Sequence, residues 1–357
     1  VGDDQGDAAG AGAGNSVRTS PSLGAYHEFT MTNGTVDLGN NGRLWIGPAA
    51  KESLGFNDMR LIGGTVNMNG TKDYQSWITG TVTEADTVKN GNNVILEGTT
   101  LNVNGYGEVN AAHIYVDGSA INVAANGVLR FGSTYSSNSS NKGTEYADGT
   151  LKFTSGSFNV SGLLKSEIAT EMAGDFTMTD VVVGTQATEP TTGFRFDKTL
   201  TVTGGTTTIT GKLANSMKDE ASTLILKGGV LSVNASSIFN EDLTGLDADT
   251  TKIGGTDGIL EVNFGGKTLT KQELTTLKSA IYGGRWSALG LTVSNFTPAE
   301  DGTISAEDSL LVGDAIASDY AVSAGTTGKL DATSVSGQVD VSNVTAAEGK
   351  KTVTIDG

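Results

Sequence analysis

Residues 63–70 read Gly-Gly-Thr-Val-Asn-Met-Asn-Gly. Apolar Val66 and Met68 alternate with polar Thr65 and Asn67. Such alternation turns one side of a strand indoors and the other to water. The bounding glycines supply the backbone conformations that tight turns need. Just upstream, Met59 and Leu61 alternate in the same way, so residues 59–68 form one unit: two short strands joined by a turn.

The unit recurs along the chain as apolar, any, apolar, two turn residues, Gly or a small residue, any, apolar, any, apolar. It appears first as Phe29, Met31, Gly34, Val36 and Leu38, and after the copy at 59 as Val94, Leu96, Thr99, Leu101 and Val103. Ile114, Val116, Ser119, Ile121 and Val123 follow, then Leu151, Phe153, Gly156, Phe158 and Val160. Weaker copies begin at Phe176 and Leu200, and a clear one at Leu224 continues through Leu226, Gly229, Leu231 and Val233. The starts at 29, 59, 94, 114, 151, 176, 200 and 224 settle at intervals of 24 or 25 where nothing is inserted. A meander of hairpins has turns every 8–12 residues or so and no longer period. A coil of two or three strands per rung does have one, with insertions leaving it as loops. The expected fold is therefore all-β: a right-handed parallel β-helix (a β-solenoid, pectin-lyase-like) with short loop insertions and one small helix.

Composition agrees. The 357 residues include 50 Gly but only 4 Pro, which separates the chain from disordered Pro/Gly-rich tracts and from collagen. The net charge of −17 opposes nucleic acid and anionic lipid and keeps a strand-rich molecule soluble. Cysteine is absent, which suits a chain that crosses a bacterial periplasm unfolded. The start at Val1, without Met or a signal-like segment, reads as a processed or excised piece.

The domain expectation has four parts. Residues 1–28 have little to bury and read as a flexible lead-in or N-terminal cap, and 29–265 as the β-helix. Residues 266–288 read as a helical insertion or cap: Thr270 and Glu273 form a capping box before the apolar stripe Leu274, Leu277 and Ile281, and Gly283-Gly284 end it. Residues 289–357 read as continuing rungs or a strand-rich segment. Ser133–Asp148 reads as a polar loop and Ser166–Ala173 as two helical turns.

The segment at 63–70, with GTTLNVNG at 98–105, GSFNVSG at 156–162 and GGVLSVNA at 228–235, resembles the degenerate rungs of autotransporter passenger domains. These are the β-helical parts of type V secreted bacterial surface proteins. The resemblance covers residues 29–265 and implies an extracellular, cell-surface location, attached to the outer membrane or released. It also implies linkage to that membrane through a C-terminal barrel not present in this chain, since no run of amphipathic strands ends it. Adhesion, aggregation and biofilm contact are the roles it implies. The implied partners are a host or bacterial surface protein or glycan, or a second copy through homotypic self-association.

A search for chemistry yields no catalytic residue, no metal ligand set and no cofactor. His27, beside Glu28, and His113 are the two histidines, and with no Cys they give no zinc set. Gly118-Ser119, Gly156-Ser157 and Ser336-Gly337 lie at or near repeat turns, where small residues are needed anyway. The acidic clusters Asp3-Asp4-Asp7, Glu300-Asp301 and Glu307-Asp308 lack calcium-loop spacing. The main enzymatic alternative is a polysaccharide lyase or hydrolase, since such folds cluster carboxylates and cations along one face of neighbouring turns. Here Asp37, Asp117 and Asp197 lie on or near strands with Arg43, Arg60, Arg130 and Arg195 as the nearby cations, the sequence leaving open which of them align. Glycoside hydrolysis needs two carboxylates about 5 to 9 Å apart. A further alternative is a structural subunit of an extracellular fibre or surface layer. Trp45, Trp77 and Trp286 sit beside turn glycines or in a loop and are the candidate exposed binding aromatics, with Tyr106, Tyr115 and Tyr135 extending such a surface.

Overall fold

A computed structural model describes residues 16–19, 27–46, 57–80, 92–132, 149–184, 190–215, 224–238, 253–255, 258–269 and 290–298, with short strand segments between 315 and 356. The chain divides into two compact units, Val1–Leu200 and Thr201–Gly357.

The strands of the first unit come in threes. The first triplet is β1 (Ser16–Thr19), β2 (His27–Thr32) and β3 (Thr35–Leu38), and the second is β4 (Arg43–Ile46), β5 (Asn57–Ile62) and β6 (Thr65–Met68). The third is β7 (Ser76–Gly80), β8 (Asn92–Glu97) and β9 (Thr100–Val103), and the fourth is β10 (Tyr106–Asn110), β11 (His113–Asp117) and β12 (Ser119–Val123). The fifth is β13 (Val128–Gly132), β14 (Thr150–Phe153) and β15 (Gly156–Val160). After it come β16 (Leu163–Ser166), β17 (Ala169–Met172), β18 (Phe176–Met178), β19 (Val181–Val183) and β20 (Gly193–Phe196). Three sheets are visited in strict rotation. The first contains β1, β4, β7, β10, β13 and β16, the second β2, β5, β8, β11, β14 and β17, and the third β3, β6, β9, β12 and β15. Neighbours in all three pair in parallel. This is a parallel β-solenoid with three strands to each turn.

The repeat read from the sequence sets the register. Phe29 pairs with Met59, Met59 with Val94, Val94 with Ile114 and Ile114 with Leu151, so five successive units stack residue for residue. Val36, Val66, Leu101, Ile121 and Phe158 form the matching column of the third sheet. Their inward side chains make the core: Leu61, Val66, Met68, Leu96, Leu101, Val103, Ile114 and Ile121 are fully buried. Between the two strands of a unit, the Gly34, Gly64, Thr99, Ser119 and Gly156 positions stack as well. Thr65 N donates to Gly34 O, Thr100 N to Gly64 O and Ala120 N to Thr99 O.

Close stacking explains the small residues there. Gly156 has φ +135°, and a Cβ on it would run into the carbonyl of Ser119 one turn below. Gly156→Ala is expected to lower stability by about 2 kcal/mol, from backbone strain plus that collision. A urea midpoint unchanged from wild type would refute the stacking account, and Gly98→Ala, where a Cβ meets no neighbour, separates the two causes.

Three expectations need correction. The sixth unit starts at Thr170, the ladder partner of Leu151, and not at Phe176. Thr170 faces inward and is buried with its hydroxyl bonded to Ser166 Oγ and Ile168 O, so a search for apolar residues passes over it. For the same reason Ser166–Ala173, read as helical turns, contains β17 instead. Within the expected lead-in or N-terminal cap, 1–28, lie β1 and the start of β2. Residues 266–269, assigned to a helical segment, belong to a strand described next.

In the second unit, β21 (Leu200–Val202) begins at the boundary, followed by β22 (Thr206–Ile209), β23 (Leu213–Asn215), β24 (Leu224–Leu226) and β25 (Val230–Asn234). A one-turn helix α1 (Ala235–Ile238), β26 (Ile253–Gly255), β27 (Ile259–Leu269) and β28 (Gly290–Pro298) complete it. β22, β25, β27 and β28 pair in parallel, as do β24 and β26. Leu231, Val233, Leu260 and Val262 fill the interior. The alternation Leu260, Val262, Phe264 carries β27 through residue 269, with a register shift between Asn263 and Lys267 where Gly265 takes φ +62°. The helix expected over 271–282 lies outside the described residues. Between 315 and 356, Ala315–Ile316 pairs with Ser334–Val335, Tyr320–Ala321 with Val339–Asp340 and Lys329–Asp331 with Thr354–Asp356, all in parallel.

Candidate functional site

The outward side of the first sheet carries the densest chemistry in the first unit. Stacking aligns Arg43, Trp77, Glu108, Arg130, Lys165 and Arg195 as one column on successive strands. Two residues further along each strand or just past its end come Thr79, Asn110, Gly132, Glu167 and Asp197. β20, which carries Arg195, enters this sheet between β16 and β19, so the column gains a sixth member from an irregular turn of the coil.

Charges alternate along this face. Arg130 reaches Glu108 at 3.0 Å with one terminal nitrogen and Glu167 at 2.6 Å with the other. Lys165 bridges Glu167 at 2.9 Å and Asp197 at 3.2 Å, and Arg195 Nε donates to Asp197. Three cations thus balance three carboxylates. Glu108 and Arg195 are buried, and Arg130, Lys165 and Glu167 are half-buried. Burial alone would raise the Glu167 carboxyl, but Arg130 and Lys165 outweigh it and hold the group below its ordinary 4.5. Burial likewise opposes the charge on Lys165, and Glu167 and Asp197 reverse that, raising it above 10.5.

These directions set the pH window of the ladder. A lowered carboxyl contributes stability above its unfolded value and loses it as pH falls through the folded one. A raised lysine contributes below its unfolded value and loses it as pH rises through the folded one. The urea midpoint is therefore expected to fall on acidification below about pH 4.5, and Glu167→Gln should flatten that limb. A variant whose acid limb matches wild type would remove Glu167 from the ladder's energetics.

A glycosidase-type acid must hold its proton near neutrality, which requires a raised carboxyl. Glu167 is shifted the other way. Asp117 is lowered too, by hydrogen bonds from Ser155 at 2.6 Å and Thr154 at 2.7 Å. No group of three or more His, Cys, Asp or Glu among the described residues is arranged to hold a metal ion.

The candidates named from the sequence fall on different faces. Asp37 lies on the third sheet, where it accepts from Asn67 Nδ2 at 2.6 Å. Asp117 ends a strand of the second sheet, and Asp197 belongs to the ladder on the first, so the three carboxylates lie on three different sheets. Arg130 and Arg195 do share that ladder with Asp197. Their partners Glu108, Lys165 and Glu167 are missed because the repeat unit covers only two of the three strands in each turn. The available signal was the spacing Lys165-x-Glu167 and Arg195-x-Asp197.

Trp77 corrects the expectation of an exposed aromatic: it is 5% exposed, packed on the first sheet with the Arg43 guanidinium 5.9 Å from its ring centre. Trp45 lies on β4, but its side chain, like all of Trp286 and Tyr135, is outside the described residues. Tyr115 is exposed on the second sheet, its ring 6.5 Å from that of His113. His113 Nδ1 lies 2.8 Å from Thr150 Oγ1 on the next turn. Ser119 Oγ accepts from Thr99 N at 3.0 Å, which makes it a turn residue.

The third sheet shows a different surface. Its outward positions are Thr35, Thr65, Thr100, Ala120 and Ser157 in one column and Asp37, Asn67, Asn102, Asn122 and Asn159 in the other. Asn102 donates to Asn67 at 2.8 Å and Asn122 to Asn102 at 2.9 Å, a side-chain ladder running parallel to the backbone one. No family model, no curated protein and no solved structure matches this chain.

Proposed function

We propose that this chain is a non-catalytic surface module: a right-handed, pectin-lyase-like β-helix exported as an autotransporter passenger and held at the bacterial surface by a barrel outside this sequence. Its role is adhesion, cell aggregation or biofilm contact. The observation that carries this reading is the third sheet's outer face, two columns of small, almost uncharged side chains, polar except for Ala120, on five successive turns. Such a face offers many identical weak hydrogen-bonding groups at one spacing, so contacts add along its length. Homotypic association between cells is the version it fits best, because opposing copies present the same Thr and Asn rows and little charge to repel.

The test is display of the chain on a non-aggregating bacterium, followed by settling rate and adhesion to host cells. Thr65→Lys with Thr100→Lys places two cations on the face without touching the core and should abolish settling. Settling and adhesion no different from undisplayed cells would sink the reading. Reducing ends released from polysaccharide by the purified chain, and lost in Glu167→Gln, would replace it with the lyase or hydrolase alternative.

A further inference from the structure

We infer that the outer face of the second sheet carries a self-complementary patch, built on Arg60, Ile62, Ile95 and Glu97, that docks a second copy of this chain. The inference does not rest on the adhesive role of the third sheet, which presents a different face. It starts from the place where alternation fails. On β5 and β8 the inward positions are Met59, Leu61, Val94 and Leu96, all buried. Their outward neighbours would be polar on a plain solvent face, yet Ile62 and Ile95 stand there half-exposed. Tyr115 is the ladder partner of Ile95 on the next turn and is 39% exposed. Large apolar side chains gathered on an outer face, rimmed by polar ones, mark a contact surface.

Register fixes the pattern of the patch. Arg60 is the ladder partner of Ile95, and Ile62 of Glu97. The four residues therefore occupy the corners of a rectangle, with opposite charges on one diagonal and isoleucines on the other. Diagonal neighbours on a sheet lie about 7–8 Å apart, within reach of two long side chains. Even so, the Arg60 and Glu97 side chains form no ion pair or hydrogen bond with each other or with any other described residue. On the first sheet the opposite holds, since Arg130, Lys165 and Arg195 are all engaged by carboxylates of their own face.

This arrangement is its own complement. A two-fold axis laid along the isoleucine diagonal brings each isoleucine against its equivalent. The same rotation sets Arg60 of one copy opposite Glu97 of the other, and Glu97 opposite Arg60. Closed two-fold contacts of this kind are the commonest way in which soluble chains associate with themselves. Because the diagonal runs oblique to the strands, the two coils cross instead of lying side by side. A small solute is disfavoured, since such ligands take concave sites and these side chains stand on a sheet face. An anionic polymer is disfavoured because Glu28, Asp58, Glu97 and Asp117 share the face. The patch is small beside the roughly 20–30 residues a side of a standard interface, so the contact is weak and its charges set orientation more than affinity.

Sedimentation equilibrium of the full chain, at concentrations up to about 1 mM, should detect a reversible dimer. Arg60→Glu and Glu97→Arg each put like charges opposite one another across the axis and should weaken association at least tenfold. The decisive sample is an equimolar mixture of the two variants. Every facing pair is then again opposite in sign, so association should return between unlike chains. The double variant Arg60→Glu with Glu97→Arg should dimerise as wild type does, by the same arithmetic. Recovery in either sample also excludes misfolding as the cause of the loss. A wild-type chain that stays monomeric throughout overturns the proposal. So does a mixture that associates no better than either variant alone. A dimer removed by Thr65→Lys with Thr100→Lys but not by Arg60→Glu overturns it too, because that outcome assigns self-association to the third sheet.

Discussion

Arg130→Met is expected to lower the stability of the fold by about 2–3 kcal/mol, below the roughly 3–5 kcal/mol for one side of a fully buried pair, because the Arg130 side chain is 31% exposed. Among the described residues, Arg130 is the cation that the charge ladder places on Glu108, whose side chain is 8% exposed. Without it, Glu108 keeps its Asn110 hydrogen bond but loses its counter-charge, and Glu167 is left to Lys165 alone. The size of the effect does not mean that the ladder contributes that much net stability. Two charges withdrawn from water lose hydration that their attraction only partly returns. The companion variant separates these quantities. Arg130→Met combined with Glu108→Gln and Glu167→Gln removes the charges together and should recover most of the loss. Equal urea midpoints for the single and triple variants would show that the Arg130 stem matters by packing and not by charge.

Apolar side chains at period two are visible wherever a strand is long and both flanking turns are small. That is why the columns through Phe29 and Val36 were readable over five turns, down to individual partners. The first sheet was not readable in this way. Its strands, such as Ser76–Gly80 and Tyr106–Asn110, put Trp, Glu, Thr and Asn on an outer face that is itself buried, so the pattern of wet and dry positions disappears. Polarity then stops reporting which side faces the core. Thr170 shows the converse, an inward polar residue satisfied within its own turn. The charge ladder needed the register of the first sheet before any of its pairs could be named, because its partners lie 22 and 37 residues apart in the chain.

Phe153→Ala is expected to cost about 3–5 kcal/mol, the range for removing a large aromatic from a packed interior, and to act mainly on one place in the coil. Phe153 is fully buried, and its ring meets Phe131 at 5.8 Å, Phe158 at 5.1 Å and Phe176 at 5.9 Å. Phe158 in turn stacks on Phe176 at 5.2 Å and meets Phe194 at 5.3 Å. This cluster lies where the third sheet ends: β15 is its last strand, and β18, next in that position along the chain, belongs to a different sheet. Elsewhere one turn is tied to the next by backbone ladders as well as by core side chains. Between β15 and β18 the ladder is missing, so the aromatic rings supply the cohesion. In a stacked architecture, stability is a sum of turns and the contacts between neighbours, and the cavity left by Ala falls at a contact that keeps the β13–β16 and β14–β17 ladders but lacks the third. Amide exchange should therefore accelerate most in β14, β15 and β17, with β5, β6 and β8 protected as in wild type. Leu101→Ala, in the regular part of the third sheet, is the control: a loss of about 2–5 kcal/mol with no such localisation. Uniform loss of protection along the coil in Phe153→Ala would mean that the end of the third sheet is not a weak point, and that the first unit unfolds as a single cooperative body.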